Sequence, residues 1–226
     1  MFGKIIDFIK KHIDFRFYGV CWIALITALL IYPMVLYLPQ KYGYENGLIE
    51  NTQMVVLFVM VFLCLTSKVN KKFFNFCTLV LSILIIREVN CGRTLFFPIP
   101  ESSPLYSEQR AYYSWNELPY KWLGKVVHSV YSLWIAAVAF IFFKKKIHLD
   151  IWEMIKNIRL PFWNIAFATF ATFMGAIAEK LTNNNYVFEE GFELLFYISL
   201  AGIVWLYSRN KNFILEQKLT VDSSAS

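Results

Sequence analysis

Between Lys72 and Arg87 lies a mostly apolar run of 14 residues, Phe73 to Ile86, suited to a bilayer but too short to cross one. A spanning helix needs about 20 residues. Completing the crossing draws Arg87, Glu88 and Asn90 beneath the membrane surface. Charges at that depth cost about 2.5 kcal/mol or more each and are as a rule paired inside a helix bundle, so this stretch predicts an intramembrane polar site. The rest of the chain agrees with a membrane setting: 58% of its residues are hydrophobic and 17% charged, which excludes an ordinary soluble domain.

Apolar runs and their flanking charges predict an all-α fold, a polytopic membrane helix bundle of about six transmembrane helices with interfacial amphipathic helices. The spans are Tyr18 to Leu38, Leu48 to Ser67, Phe73 to Gly92, Val126 to Phe143, Leu160 to Ala178, and a sixth that contains Leu194 to Ser208. Residues 1–16 form a cytoplasmic interfacial helix, with Ile5, Ile6, Ile9 and Ile13 at helical spacing. Residues 17–208 form one membrane domain and 209–226 a cytoplasmic tail. Ile147, Ile151, Trp152, Ile155 and Ile158 mark a second interfacial helix. No repeat, low-complexity tract or linker divides the chain.

Six crossings put both termini on one side. Of the 22 lysines and arginines, fifteen fall on that side and seven on the other, so the positive-inside rule makes the termini cytoplasmic, in the cytoplasmic (inner) membrane. Ten of the twelve glutamates then face outward. The long connection from Thr94 to Lys125 carries Tyr112, Tyr113, Trp115, Tyr120 and Trp122, an aromatic density that suits the headgroup layer. The net charge of +6 follows this inside bias and does not point to nucleic acid.

Spans two, three and six are short at the same outer end, and each makes up its length with polar residues. Asn46, Glu50 and Gln53 share one face of span two. Arg87 shares a face of span three with Asn90 and Cys91, with Glu88 about 100° away, and Glu190, Glu193 and Tyr197 share a face of span six beside Glu189. His128 and Ser132 open span four. The candidate catalytic residues are therefore Arg87, Glu88, His128, Glu190 and Glu193; Glu50, Asn90, Arg93 and Tyr197 are candidates for binding substrate. Two alternatives stand beside this: helix ends that snorkel to the headgroups, and a structural network that fixes helix packing.

Glutamates and His128 offer oxygen and nitrogen ligands, yet no His-Glu-x-x-His, Glu-x-x-His or Cys-x-x-Cys spacing is present, and no cofactor fingerprint or serine-hydrolase elbow occurs. Cys21, Cys64 and Cys77 fall in apolar spans as small buried hydrophobes. Cys91 alone reaches the outer end, next to Arg93 and Arg87, where a thiolate is favoured.

The stretch Arg87-Glu88-Val89-Asn90-Cys91-Gly92-Arg93 resembles the Glu-Glu-x-Ser-Trp-Gly-Gln-like motif of a group of bacterial multi-pass membrane proteins of unknown function. Tyr44 to Glu50 and Phe188 to Glu193 resemble that group's acidic stretches. Cys91, Arg93 and His128 also match the residue types of exosortase-type membrane transpeptidases, although Asn90-Cys91-Gly92 stands where that family has Ala-Cys-Ser-Gly.

The function expected from these residues is binding or modification of a lipid or lipid-linked substrate at the outer leaflet. Arg87 or Arg93 would hold phosphate, Glu88 and Glu193 would act as acid and base, and His128 would assist. A proton- or cation-coupled transporter is the second reading, and a structural or regulatory subunit gripping a partner's helix the third.

Overall fold

The computed structural model describes residues 12–107, 111–157, 160–181 and 185–209. Its main helices are α1 (Gly19–Tyr37), α2 (Leu48–Thr66), α3 (Lys71–Glu88), the one-turn α4 (Arg93–Phe96), α5 (Lys121–Lys144), α6 (Ile147–Asn157), α7 (Phe162–Leu181) and α8 (Tyr186–Arg209). Four of the described helical segments are long and apolar enough to cross a membrane, or five if α3 and the bent segment after it form one broken span. Within α7 the apolar stretch is the shorter Phe162–Ala178.

The centre is α8, packed against α7, α2 and α1; α3 leans on α2, and α5 lies at the rim against α3. One core joins Leu57, Met60 and Cys64 of α2 to Phe74 and Leu81 of α3 and to Tyr197, Leu206 and Tyr207 of α8. A second joins Ala24 and Ile31 of α1 to Ala171 of α7 and to Phe192 and Leu195 of α8. With α8 covered on several sides, its apolar residues show no single stripe, as expected of a central helix.

Several polar side chains within the helices are satisfied locally or by a neighbouring helix. Thr27, Thr52, Thr66, Thr78, Thr172 and Ser199 donate to the carbonyl four residues back, which hides their hydroxyls from an apolar surround. Asn164 of α7 is fully buried; its Oδ1 accepts from Cys21 Sγ at 3.1 Å and its Nδ2 donates to the Ser199 carbonyl at 3.4 Å, tying α1, α7 and α8 together. At the other end of the helices Gly43, in the turn before α2, meets the Tyr186–Val187 backbone so closely that an added Cβ would sit 2.5 Å from the Tyr186 carbonyl carbon.

The segment expected to be an interfacial helix lies outside the described residues up to residue 11. Beyond it Ile13–Asp14 (β1) departs from that expectation, pairing in parallel with Leu160–Pro161 (β2). Pro161 belongs to this strand and directly precedes α7. The carboxylate of Asp14 explains the departure, because it accepts from Tyr18 Oη at 2.5 Å and from the Arg16 backbone N–H at 3.0 Å, which holds the chain extended into α1. Burial alone would raise the Asp14 carboxyl; the hydrogen bonds from Arg16 and Tyr18 outweigh it and hold it below its ordinary 3.8. A carboxyl depressed by folding stabilises fully above its unfolded value, and that gain is lost as pH falls through the lower folded value. Asp14→Asn should therefore lower thermal stability by about 1 kcal/mol at pH 7, the exposed Arg16 adding little. The gap from wild type should close on acidification below 3.8. A gap that persists unchanged at pH 3 would show that the charge is irrelevant there.

The second amphipathic helix is present as α6. Its Asp150 meets Lys72 of α3 at 2.8 Å.

Candidate functional site

The stretch that organises the sequence is a helix end followed by a break. The helix α3 stops at Glu88, and Asn90, Cys91 and Gly92 then take positive φ values of 49°, 55° and 88°. That sends the chain off at 55° into the turn formed by 90–96. Left-handed backbone is easy for glycine and tolerated by asparagine, so Asn90 and Gly92 suit the break. The expectation of one continuous helical face carrying Arg87, Asn90 and Cys91 is corrected accordingly, since those residues lie on either side of the bend.

Two separate polar clusters result. In the first, Arg87 Nη2 donates to Glu193 Oε1 at 3.1 Å, and its Nε lies 4.0 Å from Glu88 Oε1. Glu88 in turn accepts from Tyr197 Oη at 2.5 Å. Behind them Gln53 Nε2 donates to Glu190 Oε2 at 2.8 Å and to the Glu190 carbonyl at 3.0 Å. Glu50 accepts from the Asn46 backbone N–H, closing the start of α2 as an acid three residues into a helix does. The side chains of Glu88 and Arg87 differ sharply in access, 7% against 57% exposed. The acid is therefore fixed while the guanidinium has room to move.

Arg87 borders a cleft of about 300 Å³ whose floor is α8 and whose walls are α3 and α7. The α7 wall is made of Ala171, Thr172, Gly175 and Ala176, and these small side chains leave the space open. Phe192, Phe196 and Leu84 give the cleft its apolar surface; Glu189, Glu193 and Tyr197 give it a polar end.

The second cluster holds the loops in place. Arg93 is 8% exposed, pairs with Glu45, and donates through Nη1 to the Tyr113 carbonyl at 3.1 Å. Asn90 Nδ2 reaches the same Glu45 at 3.4 Å, and Asn46 Nδ2 donates to Tyr112 Oη at 2.7 Å. Together with the Pro98–Tyr112 bridge, these bonds fasten the aromatic connection onto the turn before α2. Arg93 and Asn90 are thereby engaged away from the cleft. His128 is exposed on α5 with its ring edge-on to Trp115, centroids 5.9 Å apart, so it stands apart from the acids. Cys91, Arg93 and His128, grouped by residue type in the sequence, do not converge on a common contact.

Of the nine candidate residues, Arg87, Glu88, Glu190, Glu193, Tyr197 and Glu50 gather around α8. Gln53 belongs with them, and helical spacing from Glu50 already placed it on that face. Glu45 and the small-residue wall of α7 carried no signal of their own, because each matters through a partner distant in sequence. Among the described residues no group of three or more His, Cys, Asp or Glu is arranged to hold a metal ion. No protein-family profile, curated protein or solved structure matches the chain.

Proposed function

We propose that this is a six-span protein of the cytoplasmic (inner) membrane, with both termini cytoplasmic, that binds or modifies a lipid or lipid-linked substrate at the outer leaflet. The fifth crossing in this reading is α7, and the third is α3 continued through its bend. The observation that carries the functional reading is the cleft: an apolar trough between α3 and α7 that ends on an accessible guanidinium beside carboxylates. An acyl or isoprenoid chain fits the Leu84, Phe192 and Phe196 wall, and a phosphate fits Arg87, whose planar fork suits phosphate oxygens.

In this reading Arg87 leaves Glu193 for the incoming phosphate, and Glu193 becomes available as a base beside the reacting head group. Glu88, held by Tyr197, keeps a fixed charge near Arg87 and orients it. The tight packing of Glu190 on Gln53 supports the floor.

The test compares whole-membrane lipid composition in cells with the protein, without it, and with alanine at Arg87, Glu88 and Glu193 together. Loss of the protein should shift one lipid class, and the triple variant should shift the same class. Lipid profiles identical in all three strains would end this reading.

A further inference from the structure

The charges around the cleft are unequal. Arg87 faces Glu193 and Glu88, and Glu189 lines the same space.

We propose that the head group bound at Arg87 carries a protonated primary amine as well as a phosphate, the chemistry of an amino-phospholipid. This rests on the lipid reading above and specifies its substrate class. The Arg87–Glu193 pair is the receptor: phosphate takes Arg87, ammonium takes Glu193, and one internal ion pair is exchanged for two with the ligand. The short carbon link between phosphate and amine lets one head group reach both partners.

Other head groups fit less well. A purely anionic one draws Arg87 away and leaves Glu193 facing acidic neighbours without a counter-charge, which a partly buried carboxylate tolerates poorly. A quaternary ammonium restores the charge but brings no N–H for the Glu193 carboxylate. The acids are spread along α2, α3 and α8 and do not converge on one point as metal ligands must.

The test uses the full chain in detergent micelles, offered equal amounts of phosphatidylethanolamine, phosphatidylcholine and phosphatidylglycerol with identical acyl chains. Lipid retained after purification is counted by mass spectrometry. Phosphatidylethanolamine should be retained about tenfold or more over the other two, the ratio that one hydrogen bond to a charged group supplies. Glu193→Gln should erase that preference, and Glu190→Gln should weaken it and serves if the first variant does not fold. Equal retention of all three by the wild type, or a preference that survives both substitutions, overturns the amine assignment and leaves the lipid reading standing. Retention of none overturns both. Free phosphoethanolamine competing as strongly as the whole lipid overturns the lipid as the source of the amine.

Discussion

Alanine at Arg87 is expected to lower phospholipid retention by roughly 30-fold, which corresponds to about 2 kcal/mol. Truncating one partner of a hydrogen-bonded charge pair costs about 2–5 kcal/mol, much of it from the charge left behind. The lower end applies because the Arg87 side chain is 57% exposed and a half-open pair is screened. Two interactions vanish: the phosphate loses its guanidinium in the bound protein, and Glu193 loses its cation in the free protein. For phosphatidylglycerol, Glu193→Gln added to Arg87→Ala should recover part of the loss, because the uncompensated carboxylate that repels an anionic head group is then gone. Binding to immobilised phospholipid vesicles across this double-mutant cycle measures the coupling. Strictly additive losses would mean that the two side chains act independently and that their 3.1 Å contact plays no part in recognition.

The helical architecture was legible from hydropathy because apolar length is a local property. Both ends of α1 and α2 and the C-terminal end of α8 lie close to where flanking charges place them, while α8 begins at Tyr186, well before Leu194. The acids to which the depth argument at Arg87 points, Glu88, Glu190 and Glu193, lie on α3 and α8 beside Arg87 and Gln53. What helical periodicity could not supply was the break after Glu88. A helical wheel assumes the helix continues, so it carries Asn90 and Cys91 onto the face of Arg87, a face that the left-handed turn at 90–92 destroys. For His128 the limit on what helical spacing supplies is a different one. Its position on a span was read well, but which neighbour a rim helix turns toward depends on tertiary packing, and α5 packs on α3 with His128 against Trp115. The N-terminal strand was masked by the same logic, since the isoleucine period of 1–16 says nothing of Tyr18 reaching back to Asp14.

Arg93→Ala should cost about 2–4 kcal/mol of stability while Arg87→Ala costs under about 1 kcal/mol, a contrast that separates two arginines drawn from one short stretch. Arg93 is 8% exposed and holds three things at once: Glu45 of the turn before α2, the Tyr113 carbonyl of the aromatic connection, and through Glu45 the Asn90 side chain. Removing it leaves a carbonyl and a carboxylate without their donor. The upper end of the usual penalty for breaking a buried pair does not apply, because the Glu45 side chain is 42% exposed and recovers some hydration. Lysine at 93 should restore the charge but not the second hydrogen bond, since an ammonium cannot reproduce the fork that spans Glu45 and Tyr113. Thermal unfolding in detergent gives the stability order wild type, Arg93→Lys, Arg93→Ala. Limited proteolysis between residues 97 and 120 should quicken in the same order, because this connection is fastened to the helices through Tyr113. An Arg93→Ala protein as stable as wild type but unable to retain lipid would return Arg93 to the binding site and remove the division between an arginine that grips the loops and one that faces the cleft.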